Sequence, residues 1–287
     1  MWVIYALASA LFAGGMSILA KTGIKNTDST LATALRTVVV AIFAWLVVLV
    51  AGAPGDITGI SGKNLAFLIL SGLATGVSWL CYFRALQIGD VNKVVPVDKS
   101  GTVLTMLLSV FLPGEHLTWL KVAAMILIGW GTYWMIERRE IASSSEKGFK
   151  WLIYASLSAV FASLTAILGK IGITGVESNL GTAIRTVVVL VMAWVLVFLQ
   201  GKQHQIKHID KRSRVFIGLS GLATGLSWLC FSRALQEGPV SVVVPIDKLS
   251  ILVTIAFSYF FLREKLAKKP LAGLIMIVAG TLSRLFL

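Results

Sequence analysis

The sequence predicts an all-α integral membrane protein of ten transmembrane helices, arranged as two inverted five-helix repeats. Three observations carry this prediction. The 287-residue chain is 57% hydrophobic and only 14% charged, with a mean hydropathy of +0.86, whereas a soluble domain of this size needs far more polar surface. Its apolar residues fall in runs of about 20, the length at which an α-helix crosses a bilayer. The chain also reads twice: residues 2–136 align with 151–285 at a fixed offset of 149, without a gap, and 61 of the 135 pairs are identical. Each copy holds five runs, and an odd number of spans followed by a short connection turns the second copy upside down.

The first run, 2–20, has no basic segment before it and is read as a span rather than a cleaved leader. The second, 31–51, follows the polar stretch KNTDST. The third, 64–86, contains SGLATGVSWLCYFRALQ, which returns as SGLATGLSWLCFSRALQ in the second copy. The fourth, 94–112, opens with VVPVDKS, and Pro96 suits a first helical position. The fifth is 118–136. Residues 137–150 (ERREIASSSEKGFK) are the polar linker between a first repeat, 1–136, and a second, 151–287. The second repeat supplies spans at about 151–169, 180–200, 214–235, 243–262 and 268–286. Cys81 and Cys230 are repeat equivalents within apolar helices and read as small buried residues.

Orientation follows from Lys and Arg in the connections. Five basic pairs occupy equivalent positions: Lys21/Lys170, Arg36/Arg185, Lys63/Arg212, Arg84/Arg233 and Lys99/Lys248. Inverted copies place their members on opposite faces, so they cancel. Fourteen of the remaining basic residues fall on one face, and only Lys121 and Arg284 on the other. The first face is expected to be cytoplasmic, in a plasma or inner membrane, with both termini outside. The net charge of +13 lies in short gaps between apolar runs. It forms no basic face with interleaved aromatics, so no nucleic-acid partner is expected.

Ionisable groups inside a bilayer are costly and usually face a cavity or a partner. Spans 4 and 9 each open with such a couple, Asp98–Lys99 and Asp247–Lys248. Two readings stay open. If Pro96 begins its helix, Asp98 lies in the first turn near the interface, favoured by the helix dipole, with Lys99 snorkelling. Alternatively the couples are gating or substrate groups. Arg36 and Arg185 sit early in spans 2 and 7, and an Arg36–Asp98 pair at one mouth with Arg185–Asp247 at the other is one arrangement. Lys21 and Arg84 read as interfacial anchors. On span 3, Thr75, Ser78, Trp79 and Tyr82 share one helical face; Thr224, Ser227 and Trp228, with Phe231 replacing the tyrosine, repeat it. Trp at that depth is too far in for an interfacial belt, so this face either lines an aromatic cavity or packs. Gly72-x-x-x-Gly76 and Gly221-x-x-x-Gly225 read as helix packing. Glu115 and Glu264 read as loop or interface residues. No metal-ligand spacing, phosphate-binding loop or nucleophile–base pair occurs, so no cofactor, metal or enzymatic role is expected.

The 5+5 duplication, the early Arg36 and Arg185, the span 3 endings CYFRALQIG and CFSRALQEG, and Glu115 and Glu264 together resemble the drug/metabolite transporter superfamily, in its ten-span EamA-type branch. The resemblance covers nearly the whole chain. It implies a basket of helices in which spans 1–4 of each half line a central cavity, with Trp79, Tyr82 and Trp228 approaching it. It also implies that spans 5 and 10 pack together through Gly129, Gly131, Gly273 and Gly280. The Asp–Lys couples are similar to those of single-copy five-span members, so the chain looks like two such units fused. The expected function is secondary transport of a small polar or amphipathic solute, anionic or zwitterionic, by alternating access with proton coupling as an option. The expected partners are that solute and membrane lipid, in a monomer or weak homodimer. The alternatives are export of cationic drugs and a non-transporting scaffold.

Overall fold

The computed structural model describes residues 1–25, 27–51, 59–113, 116, 118–135, 147–257, 259–260 and 268–283. In the first repeat these form α1 (Trp2–Gly23), α2 (Ser29–Val50), α3 (Gly62–Ile88), α4 (Val91–Lys99), α5 (Gly101–Leu108) and α6 (Trp119–Met135). The second repeat gives α7 (Lys147–Gly172), α8 (Ser178–Leu199), α9 (Lys211–Glu237), α10 (Val240–Lys248), α11 (Ser250–Phe257) and α12 (Lys268–Leu282). The fold is all-helical, and the described residues include eight helical stretches long and apolar enough to cross a membrane. Helix α7 begins at Lys147, four residues before the expected start of the second repeat.

Helix ends follow local chemistry. Asp28 caps α2 by accepting from the Thr30 and Leu31 amides, and Asp210 caps α9 by accepting from Ser213 at 2.9 Å. Lys21 Nζ donates to the carbonyls of Leu86 and Gly89 where α3 ends. Lys170 does the same for Leu235 and Gly238 at the end of α9. These two lysines therefore satisfy orphan helix carbonyls rather than serving only as interfacial anchors. Arg84 is exposed and donates to Gln87 Oε1.

Spans 4 and 9 are each two short helices, α4–α5 and α10–α11. Pro96 and Pro245 lie inside α4 and α10, not at their starts. A proline within a helix removes one backbone bond and crowds the preceding turn, and each helix breaks three to four residues later. Because α4 starts at Val91, Asp98 falls near its C-terminal end. The interfacial first-turn reading of Asp98 is thereby corrected: Asp98 and Asp247 are each only 8% exposed and lie where the broken helices meet.

Each repeat packs mainly against the other. Helix α1 lies along α9 and against α10 and α11, and α7 lies along α3 and against α4 and α5. Helices α2 and α8 pair, as do α6 and α12. Small residues set the close approaches. A Cβ at Gly72 would meet Val188 and the Arg185 carbonyl, and one at Gly221 would meet Val39 and the Arg36 carbonyl, so both glycine pairs are packing contacts between α3 and α8 and between α9 and α2. Gly131 faces the Gly273 carbonyl and Gly280 faces Leu127, which builds the α6–α12 contact, whereas Gly129 faces Val103 of its own repeat. Lys202 Nζ and Asp28 join the two repeats at one end, 2.7 Å apart.

Gly101 is a close central approach, because a Cβ there would enter the Ala159 backbone of α7. Gly101→Val should lower stability by about 1–3 kcal/mol, as overpacking does, read as a fall in the thermal unfolding midpoint in detergent.

Candidate functional site

Where the broken helices meet, a cavity of about 130 Å³ lies between the repeats. Thr75, Ser78, Trp79 and Tyr82 of α3 face it, as do Thr224, Ser227 and Trp228 of α9. The couples Asp98–Lys99 and Asp247–Lys248 enter from α4 and α10, and Arg185 enters from α8. Every candidate from the sequence except Arg36 therefore lines one space.

The carboxylates are held by serines that sequence reasoning did not single out. Ser158 of α7 donates to Asp98 Oδ1 at 2.7 Å and exchanges a 3.1 Å hydrogen bond with Ser78. The second copy repeats this: Ser9 of α1 donates to Asp247 Oδ1 at 2.5 Å and bonds Ser227 at 3.1 Å. Each triad takes members from both repeats. A signal existed, since Ser9 and Ser158 are identical repeat partners inside apolar helices. Asp98 is not paired with Arg36, nor Asp247 with Arg185; the salt bridges of the described residues include Lys202–Asp28 and Arg233–Glu237. Buried carboxylates accept readily from nearby hydroxyls on a facing helix, and the arginines have aromatic partners instead.

Those aromatic partners form a stack across the repeat interface. The Arg36 guanidinium lies 4.2 Å from the Trp79 ring centroid and 3.9 Å from Phe83. Trp79 meets Trp228 at 4.6 Å with the rings tilted by 45°. Arg185 lies 5.2 Å from Trp228 and donates to Thr75 Oγ1 at 3.3 Å. The order is Arg36, Trp79, Trp228, Arg185.

The two ends of this stack differ. At the Arg36 end, Arg36 is 2% exposed, and Nε, Nη1 and Nη2 have no hydrogen-bond partner. The space beside it is only about 10 Å³. At the Arg185 end the main cavity extends past Thr165, Phe231 and Ser232. Phe83 has Ser232 as its repeat equivalent, and Ser232 accepts from Thr182 at 2.6 Å instead of covering an arginine. The Arg36 end is thus sealed by a phenyl ring that the Arg185 end lacks. Tyr82, counterpart of Phe231, is buried and donates to Ser17 at 3.0 Å, which further closes the Arg36 side.

Lys99 and Lys248 line the cavity, and among the described residues neither ammonium group makes a hydrogen bond or an ion pair. The lining therefore carries three cations and two carboxylates, and the carboxylates already accept hydrogen bonds. Glu115 and Glu264 lie outside the described residues.

Comparison with known proteins places the chain in a family. The profile of the EamA-like transporter family matches residues 1–136 and again 149–285. The chain belongs to the EamA-like transporter family. The two matches coincide with the two repeats, and the membrane-spanning helices fit that membership. An uncharacterised transporter from the cobO 3′ region of a Sinorhizobium species is 43% identical over 132 residues, 46% of this chain and 94% of that protein. That relative therefore matches over the length of one repeat. An uncharacterised protein of Methanocaldococcus jannaschii is 28% identical over 71 residues, 25% of this chain and 52% of that protein. A solved crystal structure superposes with a TM-score of 0.75 at 14% identity, covering 99% of this chain and 97% of that one, which is a likeness of fold alone.

Proposed function

We propose that this EamA-family chain is a secondary carrier that moves a small anionic or zwitterionic solute by alternating access through the central cavity. The observation that carries the reading is the charge imbalance there. Arg185, Lys99 and Lys248 face Asp98 and Asp247, and both carboxylates are satisfied by serine hydroxyls. Three cations against two carboxylates leave one positive charge in excess, which is unfavourable in a membrane interior, and an entering anion relieves it. A zwitterion can add an ammonium contact to Asp98 or Asp247. The volume of about 130 Å³ is close to that of a cavity known to hold benzene, which favours solutes of few heavy atoms. Asp98 and Asp247 are the proton carriers in this scheme if the solute moves with a proton.

Export of organic cations is a weaker reading. Cations are recognised over open aromatic faces, and the faces of Trp79 and Trp228 are taken by Arg36, by Arg185 and by each other.

A thermal-shift screen of purified protein against small carboxylates, amino acids, inorganic phosphate and quaternary ammonium ions tests this, followed by flux in proteoliposomes. Anions or zwitterions are expected to raise the unfolding midpoint and to cross, with internal pH changing if protons accompany them. Stabilisation and flux with the ammonium ions alone would replace this reading by the cation exporter. No binding and no flux across the panel would favour a scaffold.

A further inference from the structure

A second cleft lies on the side of α1 turned away from the cavity. Ile4, Leu7 and Leu11 are exposed there, at the spacing of one helical face. The same face continues through Gly15, Ile18, Leu19 and Thr22 into a groove of about 880 Å³, bounded by Leu86 and Phe216 and rimmed by Lys21, Lys25 and Arg212. The groove differs from the equivalent place in the other repeat at Gly15, Lys25 and Ser213. A Cβ on Gly15 would meet nothing within 4 Å, whereas its counterpart is Leu164, an exposed leucine. Lys25 has Thr174 as its counterpart, and Asn64 Nδ2 donates to the Thr174 carbonyl at 2.8 Å, tying those helix ends together. The groove has Ser213 where that tie has Asn64.

We propose that this groove binds one anionic glycerophospholipid, with an acyl chain along Gly15, Ile18 and Leu19 and the phosphate on Lys25 and Arg212. An apolar groove on a bilayer-facing helix is covered by lipid chains, so the chemistry at its rim selects the headgroup. Lys21, Lys25 and Arg212 stand against Asp210, a net of two positive charges. Lys21 is committed to the α3 carbonyls, and Asp210 to the start of α9. Lys25 and Arg212 are exposed, and Arg212 lies 5.8 Å over the Phe216 ring, which holds its guanidinium at the groove edge. Basic residues near a membrane surface attract anionic lipid. The basic residues of the connections assign this end to the cytoplasmic leaflet.

Thermal unfolding of the full-length protein in detergent, with phosphatidylglycerol or phosphatidylcholine added, tests the site. Phosphatidylglycerol should raise the midpoint several degrees more than phosphatidylcholine. The difference should vanish in the K25Q/R212Q variant and persist in K207Q/K211Q, which removes two cations of the same end that do not line the groove. Glycerol 3-phosphate should give no shift, since the chain supplies part of the binding. In native mass spectrometry the unaltered protein should retain one phosphatidylglycerol. Equal shifts with both lipids, a preference surviving K25Q/R212Q, a preference lost equally in K207Q/K211Q, a shift from glycerol 3-phosphate alone, or no retained anionic lipid would each overturn the proposal.

Discussion

Replacing Arg36 by Met is expected to lower solute flux by at least about tenfold while changing stability by no more than about 1–2 kcal/mol. Arg36 is almost fully buried, and its three guanidinium nitrogens have no hydrogen-bond partner. A charge at the centre of a membrane helix costs about 2.5–3.5 kcal/mol on insertion scales. Its contacts with Trp79 and Phe83 return about 2 kcal/mol each when desolvated, so the folded protein gains little from the charge. Methionine keeps much of the length and the apolar contact. A purely structural arginine would therefore be dispensable in both assays. A gating arginine would not, because its role is exercised only when it leaves the aromatic pair for an anion, and a loss of about 1.4 kcal/mol there is tenfold. Flux in proteoliposomes beside the unfolding midpoint separates the two, and normal flux by Arg36→Met would remove Arg36 from the mechanism.

Phe83→Ser is expected to shift the cavity toward opening at the Arg36 end. In the structure Arg36 has two aromatic partners and Arg185 has one. Exchanging Phe83 for the residue found at its counterpart, Ser232, removes the phenyl difference between the two ends. Losing one desolvated cation–π contact of about 2 kcal/mol changes a conformational equilibrium roughly thirtyfold. The measurement uses a single cysteine at position 165 in a background lacking Cys81 and Cys230, labelled by a membrane-impermeant thiol reagent. Labelling from the Arg185 side should be fast in the parent and several-fold slower with Phe83→Ser. Ser232→Phe should also slow it, by covering Arg185. Unchanged labelling in both would mean that the phenyl ring does not set the resting state.

Much of this architecture was legible in the chain before any coordinates. Runs of about 20 apolar residues, repeated at one offset, leave little choice but paired five-span units. The face Thr75, Ser78, Trp79, Tyr82 was legible because polar and aromatic groups at helical spacing have few uses at that depth. The depth of Asp98 was not. Pro96 is equally at home at a first position and at a break, and only the start of α4 at Val91 decides between them. The partners of the arginines were also hidden. An Arg near an Asp in an apolar helix reads as an ion pair, yet which side chains meet depends on how α2 packs against α9 and α8 against α3, a relation between segments far apart in sequence. The serine triads needed the same information, although the identity of Ser9 and Ser158 across the copies hinted at it.

The crossed packing of the repeats has a consequence for biosynthesis. Because α1 finds its surface on α9 and α3 finds its surface on α7, a ribosome that has released only the first repeat has delivered five spans without their mates. Ser9, Ser78 and Asp98, with Arg36 nearby, then stand in the lipid with no hydroxyl or helix from the second repeat to meet them. Assembly is therefore concentrated in the last half of translation. A chain cut short near the linker should leave those surfaces bare unless a second copy of the first repeat covers them.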